Sequence, residues 1–232
     1  MMDAPLPVSL MDDWRAALAL TGSYRVPKLA DAVFEVGCLF PLQRKLEMAS
    51  MLALAREIGA ERVLEIGADK GGSFFHWIRS VPTVTFACAI EIRGVPYVDL
   101  FREHFGPGVE IEGIAASSLD PVTLDAVRAM GPFDCVFIDG DKLTIAEDFA
   151  AYAPLVRRGG IVFIHDIFGE ALPAKFWADG IGESRPRGVI IDTSEGLAAK
   201  RREARGEPAD SGYEGWLRIW ARTSCGVGFV EI

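Results

Sequence analysis

Five acidic residues, one histidine and a glycine-rich turn stand where they could bind and activate a small molecule: Glu65, Glu91, Asp139, Asp141, His165 and Asp166 around the loop VLEIGADKGGS, Val63 to Ser73. Gly67, Ala68, Gly71 and Ser73 let the backbone approach a ligand at the start of a helix, where unpaired N–H groups point outward. The loop departs from the dinucleotide pattern G-x-G-x-x-G, because Asp69 stands where the middle glycine would be. With Glu65 just ahead of it, the turn would repel a pyrophosphate and attract an ammonium or sulfonium. Glu91 ends the next apolar run. In a parallel sheet it comes to the same edge as Glu65, placed to accept both ribose hydroxyls of an adenosine. A cationic nucleoside fits this turn better than NAD.

Asp139, Asp141, His165 and Asp166 close two further apolar runs, FDCVFIDGD and IVFIHDI. If those runs are neighbouring strands, all four face one crevice. His165 suits a general base or a hydrogen-bonded structural role. Asp139 and Asp141 suit site residues or caps of the helix that follows. His76 and His104 read as ordinary helix-surface residues.

The elements that must position these groups follow from periodicity. Leu42, Leu46, Met48, Met51, Leu52, Leu54 and Ala55 make a helical face that ends at Gly59. Strands are predicted at Arg62–Ile66, Val84–Ile92, 109–115, from Phe133 and from Ile161. The helices between them cover Ser73–Ser80, the segment around Tyr97 to Phe101, the segment from Asp120 to Met130, and Ile145–Val156, the last stopped by Gly159 and Gly160. Alternation of this kind implies a doubly wound, mostly parallel sheet. After Phe168 it fails. A short strand at Val189, a charged excursion over 194–215 and strand material from Trp216 to Ile232 remain. Residues 1–50 read as an N-terminal arm and cap helices, and 51–232 as the ligand-binding domain.

Composition narrows the class. The 24 basic and 33 acidic residues leave a formal charge of −9, against a nucleic-acid or anionic-membrane surface. Lys200, Arg201 and Arg202 lie beside Glu203 and read as a solvated helix face. No apolar run approaches the ~20 residues that span a bilayer, and the first residues lack the pattern of a signal peptide. Four scattered cysteines without a CxxC favour a reducing, cytoplasmic compartment, with Cys88 and Cys135 packed as small hydrophobes. Of the aromatics Phe74, Phe75, Trp77, Phe168, Phe176, Trp177, Trp216 and Trp220, most read as core. Phe168 and Trp177 follow His165-Asp166 and are candidates to face a substrate.

The segment from about 40 to 170 resembles class I S-adenosylmethionine-dependent methyltransferases. EIGADKGGS is similar to their first motif and Glu91 to the acid that ends their second strand. FIDGD with GGIVFIHDI, and the closing GVGFVEI, resemble the small O-methyltransferase branch that includes cephalosporin-hydroxylase-like, rhamnosyl and macrolide enzymes. The resemblance implies a Rossmann-like, seven-stranded sheet with an antiparallel last strand and an N-terminal helical cap. It implies S-adenosyl-L-methionine as cofactor, held by Glu65, Gly67, Ala68, Gly71, Ser73, Glu91, Ser117, Asp139 and Asp141. Ser117 stands where relatives often carry an adenine-contacting acid, in Ala115-Ala116-Ser117. Asp139, His165 and Asp166 match the positions that hold a divalent cation in metal-dependent relatives, with Mg²⁺ suited to the oxygens and Mn²⁺ or Zn²⁺ to the imidazole. Lys142, in DGDK, stands where many relatives have histidine and is nearer the catechol branch. Gln43 and Phe40 are placed to reach the site from the cap.

The implied reaction is methyl transfer to a hydroxyl of a small molecule in secondary metabolism, with a homodimer as a further expectation. Two other readings stand beside it. An enzyme of the same fold could attack the aminocarboxypropyl arm of the sulfonium, releasing methylthioadenosine. A non-catalytic binding module is the second, opposed by the intact Glu65, Gly67, Glu91, Asp139 and Asp166.

Overall fold

The computed structural model describes Gln43 and residues 45–168, 171–181, 187–190 and 225–232. Seven strands form one sheet: β1 (Arg62–Ile66), β2 (Phe86–Ile90), β3 (Glu110–Ile114), β4 (Phe133–Ile138), β5 (Val156–His165), β6 (Arg187–Ile190) and β7 (Val227–Glu231). Their order is β3-β2-β1-β4-β5-β7-β6. The first five are parallel, and β7 runs antiparallel to both β5 and β6. Chain order reverses between β1 and β4, and in sheets of this kind the carboxyl ends at that reversal form the binding crevice.

Six α-helices complete the described fold: α1 (Lys45–Glu57), α2 (Gly72–Ser80), α3 (Val98–Phe105), α4 (Pro121–Met130), α5 (Ile145–Tyr152) and α6 (Ala171–Lys175), the last running into a π-helical turn, Phe176–Gly180. Strands β2 and β4 are buried at every position. Helices cover both faces, so β2 reads as an unbroken apolar run and β4 as one broken only by Asp134, rather than as alternating strands. One core unites Met48, Met51 and Ala55 of α1 with Phe74, Phe75 and Trp77 of α2 and Phe101 of α3. Trp77 lies 5.7 Å from Phe163 and 6.2 Å from Phe137, ring centre to ring centre. The opposite core packs Val127, Ile145, Phe149 and Tyr152 against β4 and β5.

Several expectations are corrected. Helix α5 ends at Tyr152, and after a 3₁₀ turn at Ala153–Leu155 the strand starts at Val156, before the two glycines. The pairing Phe133↔Val156 jumps to Cys135↔Ile161, so Gly159 and Gly160 form a bulge within β5 rather than a helix stop. Asp134 explains the early entry. It accepts the N–H groups of Glu61 (2.8 Å) and Arg62 (2.7 Å) and pairs with Arg157, which ties the start of β5 to β1 and β4. His76 is buried, edge-on to Phe75, rather than on a helix surface. His104 is half-buried. Helix α1 carries Met48, Met51 and Leu52, all buried. Phe40, Lys200–Arg202, Trp216 and Trp220 lie outside the described residues.

Candidate active site

A crevice of about 570 Å³ opens at the carboxyl edge of the sheet, within the range of small-molecule sites. Gly67 and Asp69 form one wall, Glu91 and Ile92 a second, Ser117 and Asp141 a third. Gly67 is dictated by space: its φ is +85°, and a Cβ there would stand 2.4 Å from the Asp139 carbonyl oxygen. Asp69 is also left-handed, at φ 45°. Its N–H donates to Glu91 Oε2 at 3.0 Å, while the Arg93 N–H donates to Oε1 at 3.2 Å. Glu91 thus shapes the turn and also lines the crevice. Gly71 caps α2, and Ala68 is buried.

Glu65 lies behind this wall, fully buried, and accepts the Ser73 hydroxyl. Its other oxygen, Oε2, is buried without a hydrogen-bond partner. Burial raises its pKa to about 8; the Ser73 bond opposes this and the charge of Asp139 adds to it. Glu65 and Glu91 therefore end neighbouring strands but occupy different environments.

Ser117 and Ser118 line the far end of the crevice. Ser117 Oγ accepts the Leu119 N–H at 3.3 Å. The loop is held by Asp148, which sequence reading missed. The Ser118 hydroxyl donates to it at 2.6 Å and the Thr144 hydroxyl at 3.0 Å, while the Tyr152 hydroxyl donates to the Ser118 carbonyl. Asp148 is a buried acid in the first turn of α5, a position in sequence that an ordinary helix-end charge would also occupy. Asp141 accepts the Leu143 N–H at 2.9 Å, a turn bond rather than a helix cap.

The densest cluster of charges stands where β4 and β5 end. Asp139 Oδ1 meets Lys142 Nζ at 2.6 Å and His165 Nδ1 at 3.1 Å. Asp139 Oδ2 accepts from Gln43 Nε2 at 2.6 Å. Asp166, left-handed at φ 61°, offers Oδ2 to Lys142 Nζ at 2.7 Å and Oδ1 to His165 Nδ1 at 3.2 Å. On the other side of the imidazole, Nε2 faces Glu47 Oε2 of α1 at 3.7 Å, and Glu47 Oε1 accepts the Gly226 N–H at 3.0 Å. Burial opposes charge on His165, but Asp139, Asp166 and Glu47 outweigh it and lift its pKa well above the usual value. Burial likewise opposes charge on Lys142, and the two aspartates hold it protonated. Asp166 is pushed well below the carboxylate range, since His165 and Lys142 outweigh its burial.

The structure brings Gln43, Asp139, His165 and Asp166 together and adds Glu47 and Lys142, for which sequence proposed no such contact. Phe168 and Trp177 are not among the residues lining the crevice. Phe168 is half exposed beside Gly226, and the Trp177 ring lies over Gly228 of β7, where Arg187 stacks on it at 5.6 Å. Asp139, His165 and Asp166 each offer a ligand atom within 4.8 Å of the others, the reach expected of a metal site. The space between the carboxylates, however, already holds the Lys142 ammonium at 2.6 and 2.7 Å. Ion-to-oxygen distances run about 2.0–2.6 Å, so an ion bridging the two aspartates and this ammonium cannot share the position. The donor set does not fit a divalent ion while Lys142 stays there.

A methyltransferase-domain family matches residues 64–167. A catechol O-methyltransferase from Mycobacterium tuberculosis is 30% identical over 197 residues, which cover 79% of this chain and 80% of that protein. Among solved structures, cofactor-bound Rv0187 from MTB is similar at a TM-score of 0.57 and 20% identity, over 94% of this chain and 88% of its own. An O-methyltransferase from Bacillus cereus in complex with SAH is similar at 0.56 and 15% identity, over 99% and 94%. No helix among the described residues is long and apolar enough to cross a membrane.

Proposed function

Because the chain belongs to the class I S-adenosylmethionine-dependent O-methyltransferases, we propose that it methylates one acidic hydroxyl of a small molecule, a phenol or catechol, beside Lys142. The observation that carries this reading is the ammonium of Lys142, clamped between Asp139 and Asp166 in the wall of the crevice. In this reading Glu91 accepts the ribose hydroxyls, the Gly67–Gly71 turn receives the methionine part, and the 116–118 loop with Asp141 borders the adenine.

Methyl transfer requires an oxygen lone pair in line with the sulfonium methyl. The oxygen–carbon bond forms as the carbon–sulfur bond breaks, and S-adenosylhomocysteine leaves. The hydroxyl must also lose its proton, which passes to solvent so that the acceptor reacts as its oxyanion. Lys142, held protonated, cannot accept that proton, but its fixed positive charge stabilises the oxyanion, as preorganised charge does in a site partly shielded from water. A phenol starts near a pKa of about 10, so a modest lowering suffices, whereas an alcohol would need far more. The relative named for catechol supports the same choice of acceptor. Buried free thiols at Cys88 and Cys135 suit a reducing cytoplasm, and a phenolic acceptor suits secondary metabolism.

The test is product analysis by mass spectrometry after incubation with S-adenosylmethionine and a panel of phenols, catechols and sugar alcohols. The expected result is a mass gain of one methyl on a phenol or catechol, with S-adenosylhomocysteine released. Release of methylthioadenosine would favour attack on the aminocarboxypropyl arm and reject this reading.

A further inference from the structure

We propose that Lys142 is a built-in cation that replaces a divalent ion and closes the Asp139–His165–Asp166 cluster to metals. This deepens the reading above and rests on it, since it concerns how the same site activates its acceptor. Three observations on separate elements converge. First, one ammonium spans both aspartates, at 2.6 Å from Asp139 Oδ1 and 2.7 Å from Asp166 Oδ2. It lies between the oxygens that an ion shared by the two carboxylates would need. Second, the other oxygens are occupied. Gln43 donates to Asp139 Oδ2 at 2.6 Å, and His165 Nδ1 approaches Asp166 Oδ1 at 3.2 Å. Third, the imidazole turns Nδ1, the atom nearest the carboxylates, toward both of them at 3.1 and 3.2 Å. As an N–H donor in that direction it cannot also ligate an ion there.

Charge leads to the same conclusion. The two negative charges of the carboxylates are already faced by the Lys142 ammonium and the His165 imidazole. An ion brought close to the ammonium would be repelled by it. A lysine cannot simply leave this position: its side chain is only 28% exposed, and removing it strands two largely buried carboxylates. The consequence for substrate choice follows. An ion can bind two adjacent hydroxyls at once, whereas an ammonium is a single point charge. An acceptor therefore needs one acidic hydroxyl rather than a chelating pair.

The experiment is a titration with Mn²⁺, followed by electron paramagnetic resonance, of the full chain with S-adenosylhomocysteine bound. It is run on the wild type, Lys142→Ala and Lys142→Gln. The wild type is expected to take up no Mn²⁺ below about 1 mM, the weak end of protein sites for divalent ions. Both variants are expected to bind at least tenfold more tightly, since the ammonium no longer opposes the ion. Micromolar Mn²⁺ binding by the wild type would overturn the proposal, as would variants that bind no more tightly than the wild type. Calorimetry with S-adenosylhomocysteine on the same samples keeps the two readings apart: a wild type that fails to bind it contradicts the cofactor assignment, not the role of Lys142. Glutamine keeps a donor for one aspartate, so Lys142→Gln answers the question if the alanine variant does not fold.

Discussion

Glu91 uses one carboxylate for two purposes at the residue scale. Its oxygens accept the Asp69 and Arg93 N–H groups, which fixes the turn opposite, and it is nevertheless a lining residue of the crevice. Hydrogen bonds from ligand hydroxyls to a charged carboxylate contribute about 1.5–3 kcal/mol each. Glu91→Ala is therefore expected to weaken S-adenosylhomocysteine binding by at least tenfold in calorimetry, with the melting temperature lowered by the loss of the acceptor for the Asp69 and Arg93 N–H groups. Glu91→Gln should fall between the two, because it keeps an acceptor and loses the charge. An unchanged affinity in Glu91→Ala would place the ribose elsewhere.

At the scale of elements, the unit that matters is β1, its turn and α2. Gly67 connects them where β1 passes closest to β4, and a Cβ would be driven into the backbone of Asp139 and Gly140. Gly59 is equally left-handed, at φ +63°, but nothing stands within 4 Å of its missing Cβ. The pair separates conformational strain from collision. Gly59→Ala should cost about 1–2 kcal/mol in urea unfolding, the strain alone. Gly67→Ala should cost clearly more, roughly 3 kcal/mol or beyond, and should reduce cofactor affinity as well. Equal losses in the two variants would mean that β1 and β4 can move apart at no cost.

The whole molecule registers the proton balance of its buried acids. Glu65 has a pKa raised from 4.5 to about 8, chiefly by burial. A raised pKa stabilises the fold fully below the ordinary value, and the contribution is lost as pH rises through about 8. Asp139 and Asp166 act in the opposite sense: their depressed values stabilise the fold above the ordinary carboxylate range and lose that effect in acid. Glu65→Gln, which imitates the protonated acid, should match the wild type near pH 5. By pH 9 it should be more stable by roughly 1–3 kcal/mol in denaturant unfolding. A constant difference across that range would show that Glu65 does not change its protonation on unfolding.

Much of the fold was legible because its signals are local. The runs that became β1, β2 and β4 are short, apolar and closed by Gly or an acid, as strands covered on both faces must be. Parallel alternation then brought Glu65 and Glu91 to one edge, and Asp139, His165 and Asp166 to another point of it. The entry of β5 at Val156 was not legible, since it depends on Arg157 reaching Asp134 on a neighbouring strand. Nor were the partners of the charged cluster. Gln43 was expected to reach the site from the cap, but its bond to Asp139 across 96 positions, like that of Glu47 to the Gly226 N–H across 179, leaves no mark in local pattern. Trp177 was drawn toward the substrate by its nearness in sequence to Asp166, yet its ring lies over Gly228, where a strand without a side chain leaves room for it. Sequence thus determined which groups end which strands, because periodicity and strand-end chemistry are properties of neighbours along the chain. Only the tertiary structure decided how those charges are balanced, because an ammonium between two carboxylates is set by distances that packing alone creates.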